Sequence, residues 1–190
     1  MVLPIYTYGQ PVLRKTAQQV TKDFEGLHEL IDNMKETMYA SDGIGIAAPQ
    51  VGVNARLIFI DVDILKDDFP ELKGKRLVLI NPELTIDEES ATVTREEGCL
   101  SVPGIHENVT RHSKIHLKWA DENWEEHDED FEGYLARVIQ HEYDHLDGTL
   151  FTDRIAPIRK TMIRTKLNNI VKGKTHCNYR TKFFKPAGKR

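Results

Sequence analysis

The chain has 190 residues, enough for one domain with a sizeable core, or one domain and a tail. Hydrophobic residues at 39% and charged residues at 29% exclude a disordered composition. The net charge of −4 hides an asymmetry: residues 121 to 132 hold eight acidic side chains, whereas 154 to 190 hold 12 Lys or Arg and no Asp or Glu.

The opening Met1-Val2-Leu3-Pro4-Ile5-Tyr6 lacks the basic and apolar regions of a signal peptide, and no apolar run reaches the roughly 20 residues that span a bilayer. A cytoplasmic protein without membrane association is expected. Cys99 and Cys177 permit a single pairing and so make no disulfide framework.

Taken in order, Tyr6 to Arg14 reads as extended chain and turn, punctuated by Gly9 and Pro11. From Asp23 to Ala40 the apolar Phe24, Leu27, Leu30, Ile31, Met34 and Met38 recur at helical spacing, which predicts a core-facing helix capped by Asp23. The stretch Ser41 to Gly52 follows. Its Gly43 and Gly45 allow close backbone approach, but Ala48 stands where a dinucleotide loop needs its third glycine, and a helix precedes it where that loop needs a strand. A ligand-facing loop or edge strand is expected there, with Gln50 as a polar group on a stiff backbone.

Arg56 to Val62 and Leu77 to Asn81 read as strands around a loop at 66–75, and 85–96 reads as strand, polar turn and strand. Ile115, Leu117 and Trp119 alternate with His116 and Lys118, as in a half-buried strand. Phe131, Tyr134, Leu135, Val138 and Ile139 have helical spacing and run into His141, with Gly148 placed for a left-handed cap. Pro157 to Lys172 makes a last helix that Gly173 ends. Antiparallel strands packed around that central helix, with an N-terminal and a C-terminal helix, give an α+β fold. The domain is expected over 1–172 and a basic tail over 173–190. Such a tail is ordinarily a solvated end; attraction to a polyanion such as the ribosome is the sharper reading.

The chemistry concentrates in His141-Glu142-Tyr143-Asp144-His145. On a helix the two histidines project from one face a turn apart, close enough to share a divalent metal, and Glu142 sits beside it. Such a metal acidifies water and the glutamate takes the proton, which is hydrolytic chemistry. A catalytic site of this type needs a third ligand and an open position. A metzincin would place a histidine at the position of Phe151, and a thermolysin-like site needs a downstream glutamate, which the chain lacks after Glu142. Asp147 points off the ligand face, Asp153 is a further downstream candidate, and His176 and Cys177 lie in the basic segment. His112 and His116 share the i, i+4 spacing but fall in strand-like sequence, which spreads them apart. Cys99, flanked by Gly98 and followed by Pro103-Gly104, is the best remaining donor.

Three stretches together resemble the signature motifs of peptide deformylases, in the family's order: Gly43-Ile44-Gly45-Ile46-Ala47-Ala48-Pro49-Gln50, Glu97-Gly98-Cys99-Leu100-Ser101, and His141 to His145 followed by Leu146-Asp147-Gly148. The resemblance extends over roughly residues 4 to 170. It implies removal of the formyl group from the N-terminal formyl-methionine of nascent peptides, with release of formate. It also implies one divalent metal per chain, Fe²⁺ expected and Zn²⁺, Ni²⁺ or Co²⁺ able to substitute, held by Cys99, His141 and His145. Glu142 would move the proton, and Gln50 with the Leu100 backbone N–H would hold the developing oxyanion. Ile44 and part of the helix turn at 134–138 would wall a methionine pocket, backbone groups of Gly45 and Ile46 would pair with the peptide as an added strand does, and Gly98 would be a further substrate contact. Glu97, paired with Arg111, and Asp144 would support the site. The family's basic C-terminal helix suggests contact with the ribosome. His106 and Arg137 stand where other members place an arginine and an apolar residue.

Overall fold

A computed structural model describes residues 1–184. In chain order the elements are β1 (Ile5–Tyr6), α1 (Leu27–Ala40), β2 (Gly45–Ala47), β3 (Leu57–Asp61), β4 (Arg76–Ile86), β5 (Thr92–Gly98), β6 (His106–His112), β7 (Lys114–Ala120), β8 (Glu126–Glu132), α2 (Gly133–Leu146), α3 (Pro157–Val171) and β9 (Thr181–Lys182). Short 3-10 turns link several of them. The fold is α+β.

The main sheet has the order β2-β3-β4-β7-β8 with every neighbour antiparallel. All five side chains of β3 are buried, because a helix covers each of its faces. Since successive side chains of a strand point to opposite faces, Ile58 and Ile60 pack with Leu135, Ala136 and Ile139 of α2. Leu57 and Phe59 pack with Ile31, Met34 and Met38 of α1 on the other side. The helix that carries the two histidines is therefore held against the most apolar strand of the molecule.

A separate hairpin, β5 with β6, lies beyond α2. Its outward side chains are exposed, while Glu97 on one strand and Glu107, Val109 and Arg111 on the other are buried. A third cluster, including Val102, Val109, Phe151, Ile163 and Ile170, joins this hairpin to α3. Finally β1 and β9 pair in parallel, so the two ends of the described chain meet. Ile5 N–H donates to Arg180 O at 2.8 Å, and Gln10 Nε2 donates to the carbonyls of Lys182 and Phe183 at 3.0 Å each.

Four details differ from the sequence reading. The first helix begins at Leu27 and not at Asp23: Phe24 N–H is drawn into a turn with Thr21 O, and Gly26 in the left-handed region (φ 75°) opens the helix by accepting from Leu30 N–H. Phe131 belongs to β8, opposite Ile115, and not to α2. Its apolar spacing suits either element, and Gly133 (φ 67°) makes the change of direction that no other residue type would adopt readily. β4 is eleven residues long and survives Pro82 through a register shift between Ile80 and Glu83. There Asn81 takes φ 50° and its side chain bonds both Val20 N–H and Val20 O at 2.8 Å. Strands β6 and β8 have little apolar alternation to announce them. The acidic β8 forms a sheet edge opposite the Lys and His side chains of β7, with Lys118 at 3.2 Å from Asp128 and His116 at 2.7 Å from Asp130; a charged edge of this kind resists pairing with a second chain.

Residues 185–190 of the basic segment lie outside the described residues. Among the described residues no helix is long and apolar enough to cross a membrane. Met34, fully buried between α1 and β3, tests the packing: Met34→Ala should lower the unfolding free energy by about 2–5 kcal/mol in urea titration, with the chain still folding.

Candidate active site

Helix α2 sets the frame. His141 and His145 lie one turn apart with ring centroids 5.4 Å from each other, and Cys99 reaches them from the turn that follows β5. Cys99 Sγ is 3.3 Å from His145 Nε2. The ligand atoms of Cys99, His141 and His145 all fall within 4.8 Å of one another. His141 Nδ1 is 2.9 Å from a Glu97 carboxylate oxygen, which leaves Nε2 as its free nitrogen. A soft sulfur and two imidazoles gathered this closely suit a divalent transition metal, with Glu97 fixing one ring from behind.

Two polar side chains close on this set. Gln50 is almost wholly buried in the 3-10 turn Ala48–Val51. Its Oε1 accepts from Ala47 N–H at 2.7 Å, which fixes the amide so that Nε2 points to Cys99 Sγ, 3.5 Å away. Glu142 is buried beside the histidines, and its Oε2 has no partner among the described residues. Burial pushes its carboxyl up to about 7, against the downward pull of His141 and Arg111. Room for it exists only because residue 45 is glycine: a Cβ there would lie 2.6 Å from Glu142 Oε1 and 2.9 Å from its Cγ and Cδ.

Behind the donors runs a chain of buried ion pairs. Arg111 places Nε and an Nη on the two oxygens of Glu97 at 2.7 and 2.9 Å, and its other Nη on Asp144 at 2.9 Å. Arg137 also donates to Glu97 and to Val109 O, and Arg154 donates to Asp144. Burial alone would raise the Glu97 carboxyl, but hydrogen bonds from His141 and Arg111 hold it at about 2. Glu97 is therefore a fixed negative charge linking the hairpin to α2.

A cleft of about 400 Å³ opens onto these groups. Ile44, Tyr134 and Val138 give it apolar walls, and Gly45, Gly98 and Leu100 also border it. The side chain of Ile46 is in the core against Phe59, so only its backbone faces the open edge of β2, while Gly45 borders the cleft. Because β2 is the edge of the main sheet, one side of it has no neighbouring strand. Among the described residues no protein group accepts a hydrogen bond from Leu100 N–H.

A model of the polypeptide deformylase family matches residues 2–161. The chain belongs to that family. The peptide deformylase of Christiangramia forsetii is 46% identical over 190 aligned residues, 96% of each chain. The crystal structure of the peptide deformylase from Thermus thermophilus aligns with a TM-score of 0.79 at 38% identity, over 92% of this chain and all of that one. A peptide deformylase from Synechococcus elongatus, solved in complex with actinonin, aligns with a TM-score of 0.74 at 37% identity over 94% and 92% of the two chains. This chain is thus a hydrolase of a metal-dependent family, and Cys99, His141 and His145 form a Cys/His/His set that suits such a metal.

Three contributors went unrecognised or unassigned in the sequence. Arg137 stood out only as a departure from the apolar residue other family members place there; its position on α2, one turn before His141, delivers it to Glu97. Arg154 lies in a loop with no pattern around it. Tyr179, half-buried, borders the cleft from beyond the last helix. Replacing Glu97 by Gln would leave the Arg111 and Arg137 guanidiniums buried without their shared counter-charge. Urea unfolding of Glu97→Gln should show a loss of about 3 kcal/mol or more.

Proposed function

We propose that this chain hydrolyses the formamide of N-formyl-methionyl peptides emerging from translation, releasing formate, and that the residues gathered at the cleft divide the work in the following way. The observation that carries the reading is Glu142: a buried carboxylate with a free oxygen, admitted by Gly45, beside three converged metal donors.

Cys99, His141 and His145 would hold one divalent metal, Fe²⁺ on the family resemblance with Zn²⁺, Ni²⁺ or Co²⁺ as substitutes, which supplies Lewis acidity toward water and the formyl carbonyl. Glu142 takes a proton from water through Oε2 and returns it to the departing amine, a transfer for which a positioned carboxylate is suited. Gln50 Nε2 and the Leu100 N–H donate to the oxygen on which negative charge develops. Both are fixed before substrate arrives, the amide by Ala47 and the backbone by its turn, so little reorganisation accompanies the reaction. The methionine side chain enters between Ile44, Tyr134 and Val138. The peptide behind it runs in extended form past Gly45 and Gly98, using the free side of β2 as an added strand would. Glu97 and Arg111 orient His141, and Asp144 ties Arg111 to Arg154.

This reading places the protein in the cytoplasm, where nascent chains are available. The concentration of Lys and Arg after residue 153 supports docking to the ribosome through polyanion attraction.

Formate release from a formyl-Met peptide by metal-loaded protein tests the reaction. Glu142→Gln should lower the rate by roughly 10²–10⁴-fold while the protein still carries its metal. No release by wild-type protein with one equivalent of metal would overturn the assignment. Gly45→Ala makes a sharper geometric test: its Cβ displaces Glu142, so formate release should fall roughly 100-fold with metal content unchanged.

A further inference from the structure

Two cavities meet at the start of α2. Beside the cleft lies a smaller one of about 140 Å³, between the β5–β6 hairpin and the segment that joins β3 to β4. Tyr134 and Arg137, one turn apart on α2, border both, so their side chains are the partition between the methionine pocket proposed above and the second space. The two halves of that partition are held differently. Arg137 is locked by hydrogen bonds to Glu97, to Val109 O at 3.0 Å and to Val93 O. Tyr134 is backed by a ring: Phe69, which borders the second cavity and not the cleft, stacks on it with centroids 4.9 Å apart and planes 18° from parallel.

We propose that Phe69 is a positioning residue that determines specificity: by backing the Tyr134 ring it fixes the depth of the pocket for the first side chain of the formyl peptide, and so limits that pocket to side chains about as long as methionine. The inference rests on the reading of the cleft given above. It concerns a residue outside the three motifs that carry the family resemblance.

The segment around Phe69 is shaped to hold it in place. Phe69 N–H donates to Leu65 O at 2.8 Å and Phe69 O accepts from Leu72 N–H at 2.9 Å, while Leu72 is buried in the core cluster it shares with α2. Gly74 N–H donates to an Asp63 carboxylate oxygen at 2.7 Å, which draws the ends of the segment together. The Arg95 guanidinium also lies over the Phe69 ring, 5.8 Å from its centroid. Across the stack, the Tyr134 backbone is fixed by its place in α2 and by the bond from Gly133 N–H to Ser113 O at 2.9 Å. With both backbones fixed, the side-chain torsions of Tyr134 decide how far its ring stands into the cleft, and a stacked partner favours one setting beyond the area it buries. Removing that flat face opens room behind Tyr134, continuous with the second cavity, into which the ring retreats. Phe69 touches no reacting atom, so its loss changes which side chain fits and not the proton transfer or the oxyanion contacts.

Formate release from two formyl peptides tests this, one beginning with methionine and one with 2-aminooctanoic acid, whose unbranched side chain is longer by two carbons. Phe69→Leu keeps an apolar side chain in the segment and removes the flat face. Each methylene that gains burial strengthens binding roughly fourfold. The kcat/KM of the longer substrate relative to the methionine peptide should therefore rise about 10-fold in Phe69→Leu, carried by KM, with kcat for the methionine peptide within about twofold of the wild type. Phe69→Tyr retains the face and should keep the wild-type ratio. Because both substrates are compared on one preparation, the ratio is independent of how much of a variant is folded. A wild-type ratio in Phe69→Leu, a shift carried by kcat alone, or the same shift in Phe69→Tyr would each overturn the proposal. A wild type that releases no formate from either peptide fails the reaction assignment itself, whereas an active wild type whose preference is indifferent to residue 69 sinks only the role of Phe69.

Discussion

The structure depends on the Glu97 carboxylate, a buried charge that must be neutralised wherever the chain puts it. Burying it without partners would be prohibitive, so β6 supplies Arg111, α2 supplies Arg137, and His141 presents Nδ1. Satisfying one carboxylate therefore fixes the hairpin and the central helix in a single relative position. Cys99 follows Glu97 by two residues and His141 is one of its partners, so the same constraint that removes an electrostatic cost also sets the separation between sulfur and imidazole. Fold stability and site geometry are one problem here, solved by the same atoms.

Around that fixed frame the cleft is shaped by omission as much as by contact. Gly45 admits Glu142, and Gly98 admits His106, whose ring would lie 2.6 Å from a Cβ at that position. The two glycines sit on opposite sides of the converging donors, on β2 and at the end of β5. In the binding mode proposed above, an extended peptide between them would meet backbone on both sides, drawing affinity from main-chain groups and leaving discrimination to the apolar pocket.

The parts of this arrangement that were legible in the sequence are those whose partners lie close in the chain. The i, i+4 histidines, the glutamate between them and the apolar stripe of α2 are short-range patterns, and the helix spacing fixes their geometry before any tertiary contact forms. Cys99 was legible by elimination and by its motif. Partners brought together over long distances were not: the role of Arg137 depends on Glu97, forty residues away, and β6 and β8 lack alternation because one buries a salt-bridged arginine and the other is nearly all acidic. Phe131 was assigned to the helix because a single apolar residue satisfies both periods, and only the left-handed Gly133 marks the boundary.

The parallel pairing of β1 with β9 also constrains how the molecule comes into being. Its register joins Ile5 to Thr181, so nearly the whole chain must be synthesised before the pairing can close. Closing so long a loop carries an entropic cost that the body of the protein must already have reduced by folding. N-terminal segments emerge first at about 5–20 residues per second, leaving β1 exposed as an unpaired edge until the last turn of α3 has been made. The order of events is then body first and β9 last, with an edge that is vulnerable to another chain during the interval. A protein whose family acts on the first residue of other chains here closes its own fold through Thr181 and Lys182.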